Sequence, residues 1–164
     1  MRDALQNPII AIDDDQTFLK IIRRALITSG FSSIRLEPDP ETAVSIFKQD
    51  KPFDIALIDV SMPGMDGLEL LEVIKNNSPE TECIMITALD EADTAVTAMK
   101  RGAYDFVVKP FEADQLLLII ERAGRLRHIG ALVGRSALFL VTSSSAIVVL
   151  FIFYFISQSI TYVS

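Results

Sequence analysis

The stretch DIALIDVSMPGMDGLEL, Asp54 to Leu70, decides the fold. Its apolar run is just long enough for one buried strand and delivers a single acidic side chain, Asp59, onto a loop. Pro63, Gly64 and Gly67 are expected to turn the chain there. Leu68, Leu70, Leu71 and Ile74 then recur at helical spacing. The reading is strand, loop, helix, with a carboxylate at the junction. By itself an aspartate at a strand end is a common turn former. Its significance depends on what the rest of the chain brings to it.

The same unit recurs on both sides. Ile9 to Ile12 is a short apolar run followed by Asp13, Asp14 and Asp15, and then by a helical pattern of Phe18, Leu19, Ile22, Ala25 and Leu26 that Gly30 is placed to end. Asp15 reads as that helix's N-cap rather than as part of a site. Ser33 to Leu36 alternates as a half-buried strand does. Asp39 and Pro40 read as N-cap and first residue of a helix carrying Ala43, Val44 and Phe47. Cys83 to Thr87 predicts a fourth strand ending in a hydroxyl, and Glu91 to Arg101 an Ala-rich helix closed by Gly102. Asp105 to Val108 predicts a fifth strand that runs into Lys109 and Pro110. Glu112 to about His128 predicts the fifth helix, with Leu116, Ile119, Ile120 and Ala123 turned to the core.

Strands alternating with helices over short connections predict an α/β doubly wound parallel sheet with helices on both faces. In such sheets ligands sit at the carboxyl ends of the strands. Those ends carry Asp13 and Asp14, Asp59, Thr87 and Lys109. Crowded carboxylates repel one another unless a counter-charge intervenes. A hard divalent cation supplies one, and magnesium favours oxygen donors, keeps several waters and takes few carboxylates. An aspartate beside such an ion can attack a phosphoryl group, whose spread negative charge the metal, the Lys109 ammonium and the Thr87 hydroxyl are suited to stabilise.

In order, IDDD, DVSMPGMDG, ITA and FVVKPF closely resemble the motifs of the receiver domain of bacterial two-component response regulators, over about residues 7 to 128. Each motif is weak alone; the ordered set is specific. The resemblance implies a (βα)5 flavodoxin-like fold with strand order 2-1-3-4-5. It implies Asp59 as acceptor of a phosphoryl group from a histidine kinase or phosphotransfer protein, with Mg2+ held by Asp13, Asp14, Asp59 and the Ser61 backbone carbonyl. It further implies Thr87 and Phe106 as a coupled switch pair, Lys109 as the phosphate-pairing base, and Pro110 in the cis form. Phe106, rather than Tyr104, is chosen because it stands three residues before Lys109.

Charge and composition bound the function. All 22 acidic residues lie at or before Glu121 with 11 of the 15 basic ones, a balance of −11 that leaves +4 for the remainder and −7 for the whole. So acidic a domain repels phosphate backbones, and no nucleic-acid partner is expected. The first residues, MRDALQNPII, lack the continuous apolar core of a signal peptide. The one cysteine, Cys83, sits in the apolar run CIMI and is expected to be a core residue in a reducing compartment.

Beyond the receiver-like region (1–128) the composition changes. A juxtamembrane linker is expected at 129–135, where Gly130 and Gly134 read as a hinge, then a transmembrane helix at 136–160 and a short tail at 161–164. No charged residue follows Arg135, and thirteen Leu, Ile, Val and Phe residues lie between Leu138 and Ile156. At about −0.3 to −0.6 kcal/mol each they favour insertion by about −4 to −8 kcal/mol at most. Arg122, Arg125, Arg127 and Arg135 precede the span and predict that the receiver faces the cytoplasm. The expected localisation is the inner membrane, and the expected downstream partner a membrane-associated protein, with a second copy of the chain also admitted. Two other readings remain at this stage. One is a magnesium-dependent phosphohydrolase with an aspartyl nucleophile, disfavoured because the position two after Asp59, where haloacid dehalogenase-like enzymes place a second carboxylate, is Ser61. The other is a vestigial receiver acting as a membrane scaffold, against which the intact Asp59, Thr87 and Lys109 argue.

Overall fold

Residues that alternate along a strand point to opposite faces, so a strand apolar at every position needs cover on both sides. The computed structural model describes residues 7–49, 53–88 and 92–125, with the backbone alone for 92 and 93. Its strands are β1 (Ile9–Ile12), β2 (Ile34–Glu37), β3 (Ile55–Asp59), β4 (Glu82–Ala88) and β5 (Asp105–Lys109). Between them lie α1 (Gln16–Thr28), α2 (Pro40–Lys48), α3 (Gly67–Asn77) and α4 (Ala92–Lys100). A fifth helix, α5, occupies 113–125 at the end of the described region. The sheet order is β2-β1-β3-β4-β5, and every neighbouring pair is parallel. The expected α/β architecture and strand order are thus present.

Burial follows position in the sheet. Every residue of β1 and β3 is buried, whereas the edge strands β2 and β5 are mostly half-buried. One core gathers Ile10, Ile12, Ala56, Ile58, Cys83 and Met85 against α2, α3 and Ala98 of α4. The other gathers Ile9, Ala11, Ile55, Leu57, Ile84, Ile86 and Val107 against α1 and α5. Each fully buried aliphatic side chain favours folding by about 1.5–3 kcal/mol, so these two cores are the main source of stability. Cys83 is one of their members, as expected, and burial pushes its thiol up to about 12.

Helix ends obey local chemistry. The Asp15 carboxylate accepts from the Thr17 and Phe18 N–H groups, and Asp39 accepts from Glu41 and Thr42 ahead of Pro40. Both expected N-caps are therefore formed. At the end of α1, Phe31 N–H donates to Leu26 O and Gly30 N–H to Ile27 O, each at 3.0 Å, which closes the helix where Gly30 predicted. The β1 limits are as expected, and β2, β4 and β5 differ from the expected limits by one residue. The expected start of the fourth helix at Glu91 and end of the fifth at about His128 lie outside the described residues.

Phe18 and Ala25 are half-buried, and Phe18 packs against the core that Leu19, Ile22 and Leu26 join. One expectation needs correction: the sequence reads Gly67 as a turn glycine beside Gly64. Gly64 does have the turn conformation, with φ +86, but Gly67 is the first residue of α3. There a Cβ would lie 2.2 Å from Asp59 O and 2.8 Å from Val60 Cα. The Gly67 N–H donates to Val60 O at 2.9 Å, so the missing side chain lets α3 start against the backbone of the strand end.

The segment 136–160, the linker 129–135 and the tail 161–164 lie outside the described residues. Among the described residues no helix is long and apolar enough to cross a membrane.

Backbone cannot yield as a flexible side chain can. Gly67→Ala is therefore expected to destabilise the protein by about 1–3 kcal/mol, the usual cost of overpacking. Urea unfolding measures this, and a midpoint equal to wild type would show that α3 moves away from β3 without loss.

Candidate functional site at the carboxyl edge of the sheet

Parallel strands end on the same side, so residues closing β1, β3, β4 and β5 share one edge. Asp13 follows β1 directly and is buried, as is Asp59, the last residue of β3. Asp14 is exposed beside them. One carboxylate oxygen from each of Asp13, Asp14 and Asp59 lies within 4.8 Å of the others, an all-oxygen cluster of the kind a hard divalent cation takes. Asp13 is fixed further by accepting from the Asp15 N–H at 2.8 Å, and Asp59 by accepting from the Ser61 N–H at 3.1 Å.

Lys109 closes the arrangement. Its Nζ lies 2.7 Å from Asp59 Oδ1 and 2.9 Å from Asp13 Oδ2, one ammonium donating to two buried carboxylates. Pro110 follows across a cis peptide bond, as the resemblance implied. Thr87 is buried on β4 at the same edge, with its hydroxyl 3.4 Å from Ala88 O. Phe106 lies one strand away, opposite Met85, while Thr87 stands opposite Val108. The two therefore face the same side of the sheet, two positions apart. Phe106 is 37% exposed, a large apolar side chain open to water on the edge strand.

The electrostatics are those of a charge cluster short of cations. Burial raises the Asp59 carboxyl above its ordinary value of 3.8; the hydrogen bond from Lys109 offsets this in part, and the Asp13 charge adds to it. For Lys109, burial pulls the ammonium down, but the bonds to Asp59 and Asp13 outweigh that and leave it raised. Both partners move upward because the lysine gains two anions whereas Asp59 faces one cation, one anion and desolvation.

These features are those of a known family. Residues 9–121 match the model of the response regulator receiver domain. The chain belongs to this family. It is 35% identical over 117 residues to the chemotaxis protein CheY of Listeria monocytogenes, covering 71% of this chain and 98% of that one. It is 36% identical over 123 residues to the regulatory protein AtoC of Escherichia coli, covering 75% of this chain but 26% of AtoC. With the DNA-binding transcriptional regulator NtrC of Salmonella typhimurium it shares 38% identity over 112 residues, 68% of this chain and 24% of NtrC. The chain thus spans about a quarter of the length of these two larger regulators. In structure it is similar to the receiver domain of NtrX from Brucella abortus, with a TM-score of 0.66, 35% identity, and coverage of 71% of this chain and 98% of that one. Receiver domains are switches phosphorylated on an aspartate, and their named relatives here are regulators rather than enzymes.

Of the residues singled out in the sequence, Asp13, Asp14, Asp59 and Lys109 come together, and Thr87 shares their edge. Two contributors were not read from the sequence as parts of the site. Gly67 seats α3 against Asp59, and Phe18 lies 4.1 Å from the Lys109 ammonium, measured to the ring centroid. Neither carries a local signal, since Phe18 and Lys109 are 91 positions apart.

An Asp59 carboxyl held above its ordinary value is a charge that folding disfavours, so its contribution to stability falls as pH rises through the window above 3.8. Asp59→Asn is accordingly expected to raise the melting temperature at neutral pH in metal-free buffer. Magnesium at ten times its Kd is expected to stabilise the wild type by about 1.4 kcal/mol by mass action, and the variant by less. Differential scanning calorimetry with and without the ion tests both. Equal magnesium shifts in the two proteins would remove Asp59 from the cation site.

Proposed function

We propose that this receiver accepts a phosphoryl group on Asp59 from the phosphohistidine of a histidine kinase or phosphotransfer protein and signals by altered protein contacts at the cytoplasmic face of a membrane. The observation that carries the reading is the bridge from Lys109 Nζ to Asp59 Oδ1 and Asp13 Oδ2, beside a third carboxylate. An Asp59 oxygen would form the bond to phosphorus as the donor's P–N bond breaks, with the electron pair leaving on the imidazole nitrogen. The Lys109 ammonium, already at hydrogen-bond distance from Asp59, would pair with a phosphoryl oxygen. Thr87, buried at the same edge, supplies a hydroxyl to another. Asp13, Asp14 and Asp59, with the Ser61 backbone carbonyl, would hold Mg2+, which when bound supplies positive charge for the phosphoryl oxygens.

As the switch, the pair Thr87 and Phe106 fits a two-state element. The threonine is buried near the site, the ring is part exposed on the same side of the sheet, and a ring moving inward would exchange water for apolar contact. A phosphohydrolase is less well supported, because the place that would hold a general acid is Ser61, whose N–H instead donates to Asp59.

The membrane part of the proposal rests on sequence. The uncharged stretch 136–160, preceded by four arginines, is suited to a single span with the receiver in the cytoplasm. Confinement to the membrane raises the encounter frequency with a membrane-bound kinase and favours a downstream protein that is itself membrane-associated, or a second copy of the chain. The acidic balance of residues 1–121 supports protein rather than nucleic acid as the partner of this domain.

A small phosphodonor such as acetyl phosphate, with magnesium, is expected to label the wild type at one site and Asp59→Asn at a hundredth of that rate or less. Comparable labelling of the two proteins would refute the assignment. Separately, the full chain is expected to stay with membranes through high-salt and alkaline washes, whereas residues 1–130 partition to the soluble fraction. A full chain recovered as a soluble monomer would sink the anchor.

A further inference from the structure

We propose that Phe18 is a positioning residue for Lys109, its ring face seating the ammonium that bridges Asp13 and Asp59. The Nζ atom lies 4.1 Å from the ring centroid, well inside the range of a cation–π contact. Two carboxylates on their own leave this group poorly fixed. The lysine stem is flexible and its side chain is 31% exposed, so rotamers that carry the ammonium out to water remain open. An aromatic face on a further side of the nitrogen closes those alternatives without adding another anion to a cluster that already holds three carboxylates.

The ring is itself held at both ends. Its backbone N–H donates to Asp15 Oδ1 at 3.2 Å, within the cap that follows the two cluster aspartates, so one loop places both the anions and the ring. Phe111, two residues after Lys109, meets it edge to face with centroids 5.9 Å apart and planes at 84°. That edge-to-face pair ties the first turn of α1 to the chain beyond β5. The ring also borders an apolar groove of about 440 Å3 that it shares with Ile21, Ile22, Pro110 and Leu116. Being half-buried at a groove rather than enclosed in the core, Phe18 is not dictated by core packing alone.

The inference rests on Asp59 as phosphoacceptor, through Lys109 as its cation. Its test reads the contact directly. In the full chain, solubilised in detergent and labelled with 13C and 15N at lysine, the ε-methylene and ammonium signals of Lys109 are assigned from their loss in Lys109→Arg. They are expected upfield of the other lysines, because protons over a ring face are shielded by its current. That displacement should persist in Phe18→Tyr and vanish in Phe18→Leu. Asp59 labelling by acetyl phosphate is expected to slow about fivefold in Phe18→Leu and to recover in Phe18→Tyr, as loss and rescue of a partly exposed cation–π contact predict.

A wild-type Lys109 signal without displacement would overturn the proposal whether or not Phe18→Leu folds, and so would a folded Phe18→Leu that labels at the wild-type rate. The two readings also fail differently. Displacement present without any labelling of Asp59 would remove the phosphoacceptor and leave the contact. Labelling intact without displacement would remove the positioning role alone.

Discussion

One ammonium group between two buried carboxylates is the contact on which the carboxyl edge of this protein depends. Asp13 and Asp59 are anions drawn out of water, and their proximity would favour protonation of one or separation of both. Lys109 allows the arrangement by donating to each at less than 3 Å. Removing Lys109 would leave two buried carboxylates facing each other without a cation, whereas removing the Asp59 charge would leave Asp13 and Lys109 as a balanced pair. The site is therefore held under electrostatic tension that an added cation or a change of charge on Asp59 would alter.

The fold is what makes that contact available. In the order β2-β1-β3-β4-β5, Lys109 reaches from the edge strand β5 past β4 to an aspartate on β3 and another after β1. Two aliphatic cores hold those strands in register, one on each face of the sheet. Close approach of α3 at Gly67 and capping of α1 by Asp15 then bring two helix starts to the same edge. Stability lies in the cores and reactivity lies at the edge, and the separation lets polar groups be crowded without disturbing packing.

Exposure of apolar groups is the other feature that bears on signalling. Phe106, with Val96 and Met99 of α4, is open to water, although most of the sheet is closely covered. A part-exposed ring beside a buried threonine is a group with somewhere to move, which a fully packed one lacks. Receiver domains are switches phosphorylated on an aspartate, and the switch role proposed above for Thr87 and Phe106 rests on that membership together with this exposure.

The order of strands and helices, the N-caps Asp15 and Asp39, and the acidic and basic residues of the site were all legible in the sequence. They depend on local chemistry: apolar runs of strand or helix period, capping side chains, and charged groups at strand ends. Even the sheet order, taken from resemblance, needed only ordered motifs. The role of Gly67 was not legible, because a turn glycine and a glycine under close backbone approach look identical in a sequence. Nor was the place of Phe18 legible, since its helical spacing suits a core residue and only the three-dimensional path of β5 sets Lys109 over its ring. Sequence by itself determined which groups stand at the ends of the strands. Tertiary structure decided which of them touch, because a contact between positions 18 and 109, or between 13, 59 and 109, exists only once hydrophobic burial has fixed the order and twist of the sheet.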